Sequence, residues 1–561
     1  MVMIKKQHFR RLLGVAAILL VTVGLVGCGQ NQQKATPKTN TTKLLSVKQI
    51  KENIGSKLVT TRADKQKSAT QTYKTALANA DYTLAKPYVK VNPYQTSPLT
   101  ALVIFQTDQV AKVKYTVVGK SANTSITNQV NSDYSTQHQI PIVGLYSGAN
   151  TVKLQVTYQD GTATEQTLAI KTTTELPKYL QQTKIKVTKN NKQQMAIGDN
   201  KLTFMIRTTK QSFAIDADGA IRWYSTLYVQ HMLQPIHNGH LLLLSKKTQS
   251  AMVYNDLLET DYLGRVYKEY TFRAKTSNND GGKETTVLHH DIIELPNHDL
   301  VATVNDGSDY VEDTMVVISA QTGKITKVID LKKLLPTAMY TKYKAASDGD
   351  VDWFHQNSVY YDDNDQSLLI SGRNQDMIMK IDLQTDKIKW IYSGKKASTW
   401  PQKYRSLLLT PTKGTTITGG QHGLNLLSDD NNNPSSENIL LYDNNIDVTN
   451  GDAKTSGKYS QGVQYHIDTK KMTIDQTWAY GKSLGQANFT AIIGYTQKLN
   501  DTNYLIDFGF QNKGKSSNII EVDGQQQVFN VKLTNPASKA YVYRAYRLPV
   551  YDSSYQFDVN Q

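Results

Sequence analysis

Four of the eleven histidines in this 561-residue chain open segments that look alike. His231-Met-Leu-Gln-Pro-Ile-His-Asn-Gly-His-Leu aligns without gaps to His290-Asp-Ile-Ile-Glu-Leu-Pro-Asn-His-Asp-Leu, and the segments starting at His355 and His422 sit in the same register. One histidine is usually a satisfied polar residue in a turn or core; four at a repeated position ask for another reason. Two chemistries suit them. One is a metal site of imidazoles, which would also want a carboxylate or water ligand. The other is nucleophilic and electrostatic catalysis on an anion. The stretch Asp352-Trp-Phe-His355-Gln-Asn357-Ser-Val, followed by Ile370-Ser-Gly-Arg373, decides between them. At a strand period of two, His355 and Asn357 point the same way, and Arg373 falls at the next strand. A guanidinium beside imidazoles repels a cation but grips a tetrahedral oxyanion through its planar fork. The cluster therefore suits a sulfate or phosphate group.

Such residues converge only if the chain repeats. A tight turn followed by an aromatic or branched strand recurs: Asp216–Trp223, Asp261–Tyr267, Gln321–Val328 and Asp382–Trp390, with weaker copies at Asp468–Trp478 and Asp523–Phe529. Six copies without a long amphipathic helix between them, at roughly 60 residues each, predict an all-β, six-bladed β-propeller over 179–561. Its innermost strands would line a central channel and bring the histidines to one mouth. Before it, Val152, Leu154, Val156 and Tyr158 alternate with polar residues, and Asp160-Gly161 marks a hairpin, which predicts a small N-terminal β-sandwich over 85–178. Residues 29–84 read as a polar tether followed by a helical stalk.

The N-terminus carries Lys5, Lys6, Arg10 and Arg11, an apolar run from Leu12 to Gly27, and Leu25-Val-Gly-Cys28. That run is short for a membrane span and suits a signal peptide. L-V-G-C resembles the lipobox of bacterial lipoproteins, which implies lipidation of Cys28 and an extracytoplasmic protein anchored to the cell membrane. An uncleaved anchor helix is the alternative. Cys28 is the only cysteine, so the chain has no internal disulfide, thiol nucleophile or cysteine metal site. The net charge of +16 is dispersed, without a basic helix, and argues against a nucleic-acid partner.

W-x-H-x-N-S-V, then I-S-x-R, then the Gln421-His422 pair resemble the arylsulfotransferase family. Asn92–Ala101 is similar to the start of that family's small β-domain, and Tyr543–Tyr551 to its closing strand. The resemblance implies transfer of a sulfuryl group from a phenolic sulfate ester to a phenolic acceptor through a histidine, without a nucleotide donor or other cofactor. It implies that His422 is the nucleophile and that His355, Asn357 and Arg373 bind the sulfate. It also implies a further histidine from the His289-His290-Asp segment; repeat register favours His290, with His289 as the neighbour left open. Gram-negative members carry a disulfide near the nucleophile that this chain lacks, so the loop 424–437 must be held otherwise. Two other readings stand beside this one. One is a non-catalytic propeller lipoprotein, a scaffold or glycan-binding module, which has no use for in-register histidines and Arg373. The other is a metal-dependent phosphoesterase or sulfatase, for which a clustered Asp/His set and a C-x-P-x-R motif are missing. A homodimer is left open.

Overall fold

The computed structural model describes residues 40–561, apart from 199, 208–209, 249–250, 274–284, 428–432, 434, 538 and 552–554; the side chains of 131 and 132 are likewise outside the description. The segment with Cys28, and part of the 424–437 loop, lie outside the described residues.

Among the described residues, six sheets, antiparallel except for the short parallel pairing of Thr410–Pro411 with Thr473–Tyr480, carry the second part of the chain. Their end strands are β1 (Val229–Pro235), β2 (Leu288–Glu294), β3 (Gln356–Asp362), β4 (His422–Leu427), β5 (Tyr495–Lys498) and β6 (Arg544–Pro549). Consecutive members of this set pack on one another, and β6 with its partner Lys201–Ile206 leads back to β1, as in a propeller. The closing sheet joins the C-terminal strand β6 to Lys201–Ile206, Phe213–Ile215 and Ile221–Tyr224 from the start of the region. Because each sheet is sandwiched between two others, its middle strands are buried on both faces. Leu300–Val304 and Thr314–Ile318 accordingly have no exposed position, whereas the outer strand Ile325–Asp330 alternates over its first half.

The N-terminal β-domain alternates cleanly: Val152, Leu154 and Val156 are buried and their neighbours exposed. Its strands form one hydrogen-bonded sheet, not two separate ones. The 18-residue strand Thr100–Val117 pairs with Tyr88–Val91 through its first half and with Ala149–Tyr158 through its second, changing partner across the register shifts between Gln106 and Val113. The domain shares a continuous apolar core with the first and last propeller sheets. There the buried Arg222 donates to the Gly144 and Thr124 carbonyls and stacks 3.8 Å from the Tyr146 ring centre.

The described part of the segment read as tether and stalk does not stand free. Asn40 bonds the Thr341, Tyr340 and Tyr343 carbonyls. Helix α1 (Val47–Ile54) is opened by a Ser46/Gln49 capping box and closed by Gly55 in the left-handed region (φ 52°), and it buries Ile50 and Ile54 against a propeller sheet. Lys57–Val59 adds a strand to the edge formed by Val266–Thr271. Helix α2 (Thr61–Ala78) follows, burying Tyr73, Ala76 and Leu77. Apolar residues at these few positions within a polar composition explain why the segment read as a stalk. Among the described residues, no helix is long and apolar enough to cross a membrane.

Candidate active site

The strands β1, β2 and β3 begin with the same irregularity. His231, His290 and His355 each adopt a left-handed backbone (φ 59°, 38° and 52°), and the pairing of each strand with its neighbour slips at that point. A side chain in this region costs on the order of 1–3 kcal/mol, and such strain collects at functional sites. In β4 the left-handed residue is Gly423 (φ 61°), so His422 lies one position ahead of the other three. A Cβ at Gly423 would meet the Tyr495 ring at 2.5 Å, which fixes glycine there.

The slips turn the imidazoles towards one another. His231 stacks on His290 with ring centres 4.9 Å apart, and His290 meets His355 edge-on at 4.7 Å. Tyr543, just ahead of β6, lies 4.3 Å from the His231 ring. His290 is thus the member of the His289–His290 pair that belongs to this row. His289 sits beside it, Nδ1 to Nδ1 at 3.0 Å, with its own Nε2 buried and unpartnered. Beneath the row, buried Asp291 accepts from Arg544 Nη1 (2.9 Å), Gln234 Nε2 (2.7 Å) and the Val359 N–H (3.1 Å), tying together β1, β2, β3 and β6.

His355 Nδ1 is 2.6 Å from Asp352 Oδ2 and 2.7 Å from Glu312 Oε2, and Glu312 also lies 3.7 Å from His290 Nδ1. Burial pushes the Glu312 carboxyl up, but the charge of His355 and its contact with the group outweigh it and hold it well below the carboxylate range. Burial moves the imidazoles the other way. His231 falls to about 3, His289 is lowered, and His290 falls well below the usual 6.5.

His422 is buried, and its two nitrogens are distinguished. Nδ1 faces Asn444 Oδ1 at 2.7 Å and the Gly420 carbonyl at 3.0 Å. Both are acceptors. The Asn444 amide is oriented by its Nδ2, which donates to the Thr490 and Ile493 carbonyls at 2.9 Å each. The proton must therefore sit on Nδ1, leaving the lone pair on Nε2, towards which the Ile493 N–H points at 3.3 Å. Burial, then the Arg373 charge, hold this imidazole well below 6.5, so it is neutral.

Arg373 opens the turn that follows the strand Ser367–Gly372, and its N–H is bonded to the His355 carbonyl at 3.1 Å. Nη1 donates to Asn374 Oδ1 (2.7 Å), and Nε is buried without a protein partner. Asn357 Nδ2 donates to the Gln421 carbonyl at 2.7 Å, so it clamps the residue before His422. Gln421 Nε2 in turn reaches the Ser371 hydroxyl and the Gly372 and Met377 carbonyls. Buried Asp376 accepts the Gly420 N–H (2.7 Å) through one oxygen and the N–H groups of 448–450 through the other. These contacts hold the His422 segment without a disulfide.

The structure thus gathers His231, His289, His290 and His355, and links Asn357, Arg373 and His422 through bonded neighbours and charge. Sequence reasoning missed Glu312, Asp352, Asn444 and Arg544. Asp352 stands in the His355 motif and was readable as its partner; the others lie far along the chain from the groups they adjoin and carry no local signal. The sets His289/His290/Glu312 and Glu312/Asp352/His355 have donors close enough for a cation. The guanidinium acting on His422 favours an anion beside that imidazole instead.

A propeller of this kind, with a row of strained histidines at one end of its inner strands, is matched over residues 187–544 by the family model described as arylsulfotransferase (ASST), and residues 88–173 match the arylsulfotransferase Ig-like domain. The chain belongs to the arylsulfotransferase (ASST) family. It is similar to the arylsulfate sulfotransferase AssT of Lelliottia amnigena, with 24% identity over 530 residues that cover 77% of this chain and 86% of that one. It is likewise similar to the arylsulfate sulfotransferase AssT of Escherichia coli O6:H1, with 24% identity covering 75% and 84%. Among solved structures, the periplasmic gluconolactonase PpgL of Pseudomonas aeruginosa is similar at 11% identity, covering 79% of this chain and all of that one, with a TM-score of 0.32.

Proposed function

We propose that the protein is an aryl-sulfate sulfotransferase that works by a ping-pong mechanism with a sulfohistidine at His422. One observation carries the reading: a buried, neutral imidazole whose Nδ1–H is engaged by Asn444 Oδ1 and the Gly420 carbonyl, so that the lone pair lies on Nε2, where the Ile493 N–H gives way to sulfur.

In the first half-reaction the Nε2 lone pair attacks sulfur in line, an N–S bond forms, and the S–O(aryl) bond breaks with its electron pair on the phenolate. Charge on the sulfuryl oxygens is met by the Arg373 guanidinium, whose Nε lacks a protein partner. His355, backed by Asp352 and Glu312, supplies a proton to the phenolate. In the second half-reaction an acceptor phenol gives its proton to His355, its oxygen attacks sulfur, and the N–S bond breaks. Charge and protons balance over the cycle, and no nucleotide enters. His290 and His289 extend the donor set around the sulfuryl group. We further propose that the chain is held outside the cytoplasm by a lipid on Cys28, as the L-V-G-C box suggests.

The test is to incubate the purified protein with p-nitrophenyl sulfate and phenol. The expected result is release of p-nitrophenol matched by formation of phenyl sulfate. Release that requires an added sulfonucleotide would overturn the proposal.

A further inference from the structure

The far ends of β1 and β2 hold a second group of histidines that the sulfuryl chemistry does not use. The turn after β1 carries His237, and the turn after β2 carries His298; both are half-exposed. Between them stands Glu294, the last residue of β2. Glu294 Oε1 hydrogen bonds His237 Nδ1 and lies 3.2 Å from His298 Nδ1, so one carboxylate oxygen faces two imidazole nitrogens. The rings stack with centres 3.7 Å apart. The second oxygen, Oε2, accepts the His237 backbone N–H at 2.9 Å, which fixes the carboxylate's orientation and leaves Oε1 facing the rings. His298 takes up a left-handed backbone (φ 69°) to bring its ring there. His237 is six residues from His231, or about 20 Å along an extended strand, so this group is distinct from the imidazole row.

As the residues stand, one oxygen takes an Nδ1–H from each of two stacked imidazoles, and moving both protons to Nε2 turns the three atoms into lone-pair donors that converge on one point. A divalent cation satisfies all three donors at once. Two neutral imidazole nitrogens and one carboxylate oxygen, with open positions towards solvent, are a donor set for a borderline metal such as Zn²⁺, Ni²⁺ or Co²⁺, and a poor one for Ca²⁺ or Mg²⁺, which take oxygen. We propose that His237, Glu294 and His298 form a divalent transition-metal site that clips two neighbouring propeller sheets together at the end opposite the sulfuryl site. Its role is to tie the sheets, because it adds metal bonds to the His237–Glu294 hydrogen bonds and the ring stacking that already join these turns.

The experiment uses the full chain, stripped with a chelator and titrated with ZnCl₂ by calorimetry. CoCl₂ serves as a spectroscopic probe and the thermal unfolding midpoint as a second readout. The wild type is expected to take up one Zn²⁺ per chain and to unfold at a higher temperature when it is bound. His237→Ala/His298→Ala is expected to bind at least tenfold more weakly and to show no midpoint shift. Glu294→Gln, which keeps the shape of the side chain, should also weaken binding and guards against a folding defect in the double variant. No stoichiometric uptake by the wild type, or equal affinity in both variants (which would place the ion at His289/His290/Glu312), would overturn the proposal.

Discussion

In the proposed mechanism, Asn444 is the residue on which the readiness of His422 depends most. Its Oδ1 fixes the His422 proton on Nδ1 from 2.7 Å, and the residue is fully buried. Asn444→Ala leaves Nδ1 with the Gly420 carbonyl alone, at 3.0 Å. When sulfur bonds to Nε2 the ring gains positive charge, so the lost contact is a hydrogen bond from a charged donor, worth about 1.5–3 kcal/mol. The expected loss in kcat is about 10- to 10²-fold, with activity remaining because the Gly420 carbonyl still favours the same tautomer. The substitution also strands the Thr490 and Ile493 carbonyls, at about 1–3 kcal/mol each in stability. The assay is p-nitrophenol release with saturating phenol, run well below the variant's own unfolding midpoint. A folded Asn444→Ala protein with wild-type kcat would refute the tautomer argument.

Three further expectations follow from the same geometry. Arg373→Ala should still form the covalent intermediate, but about 10²–10³-fold more slowly in a single-turnover burst, because it removes one donor to the sulfuryl oxygens; an unchanged burst would remove Arg373 from the site. His231 falls to about 3 when folded and returns to about 6.5 when unfolded, so acid stabilises the unfolded chain by protonating it there first. The stability gap between wild type and His231→Phe should therefore move in the variant's favour by about 1.4 kcal/mol between pH 7.5 and 5.5, read as a change in the difference of their unfolding midpoints; a gap that stays constant contradicts this. Cys28→Ala should release an active protein into the medium, whereas a membrane-bound variant would point to an uncleaved helix.

The repeat was legible because a propeller writes the same strand and turn into every sheet. The row His231, His290, His355 follows from that register, and the His355–Asn357–Arg373 spacing from strand periodicity. His422 reads as a fourth member of the row, yet it sits one position ahead, because Gly423 takes the strained conformation that the other three sheets give to histidine. Glu312 and Asn444 were not legible. Glu312 lies on a different sheet from His355, and only the packing of neighbouring sheets brings them together, whereas Asn444 stands just past the strand Ser436–Asp443 that pairs with β4, a cross-strand neighbour that no spacing marks. Asn357 illustrates a subtler gap. Strand periodicity puts it on the His355 side, but its amide donor is spent on the Gln421 carbonyl, a contact set by the neighbouring sheet. The N-terminal segment misled for a compositional reason: α1 and α2 bury only five residues between them, too few to show against a polar background.

The central claim is that sulfur is carried on His422. Mass spectrometry of a rapidly quenched reaction, with p-nitrophenyl sulfate alone and then with phenol added, reads it directly. The expected result is one sulfated peptide containing His422, discharged by phenol and absent from His422→Ala. A sulfated peptide mapping to His290 or His355, or one that persists in His422→Ala, would contradict it.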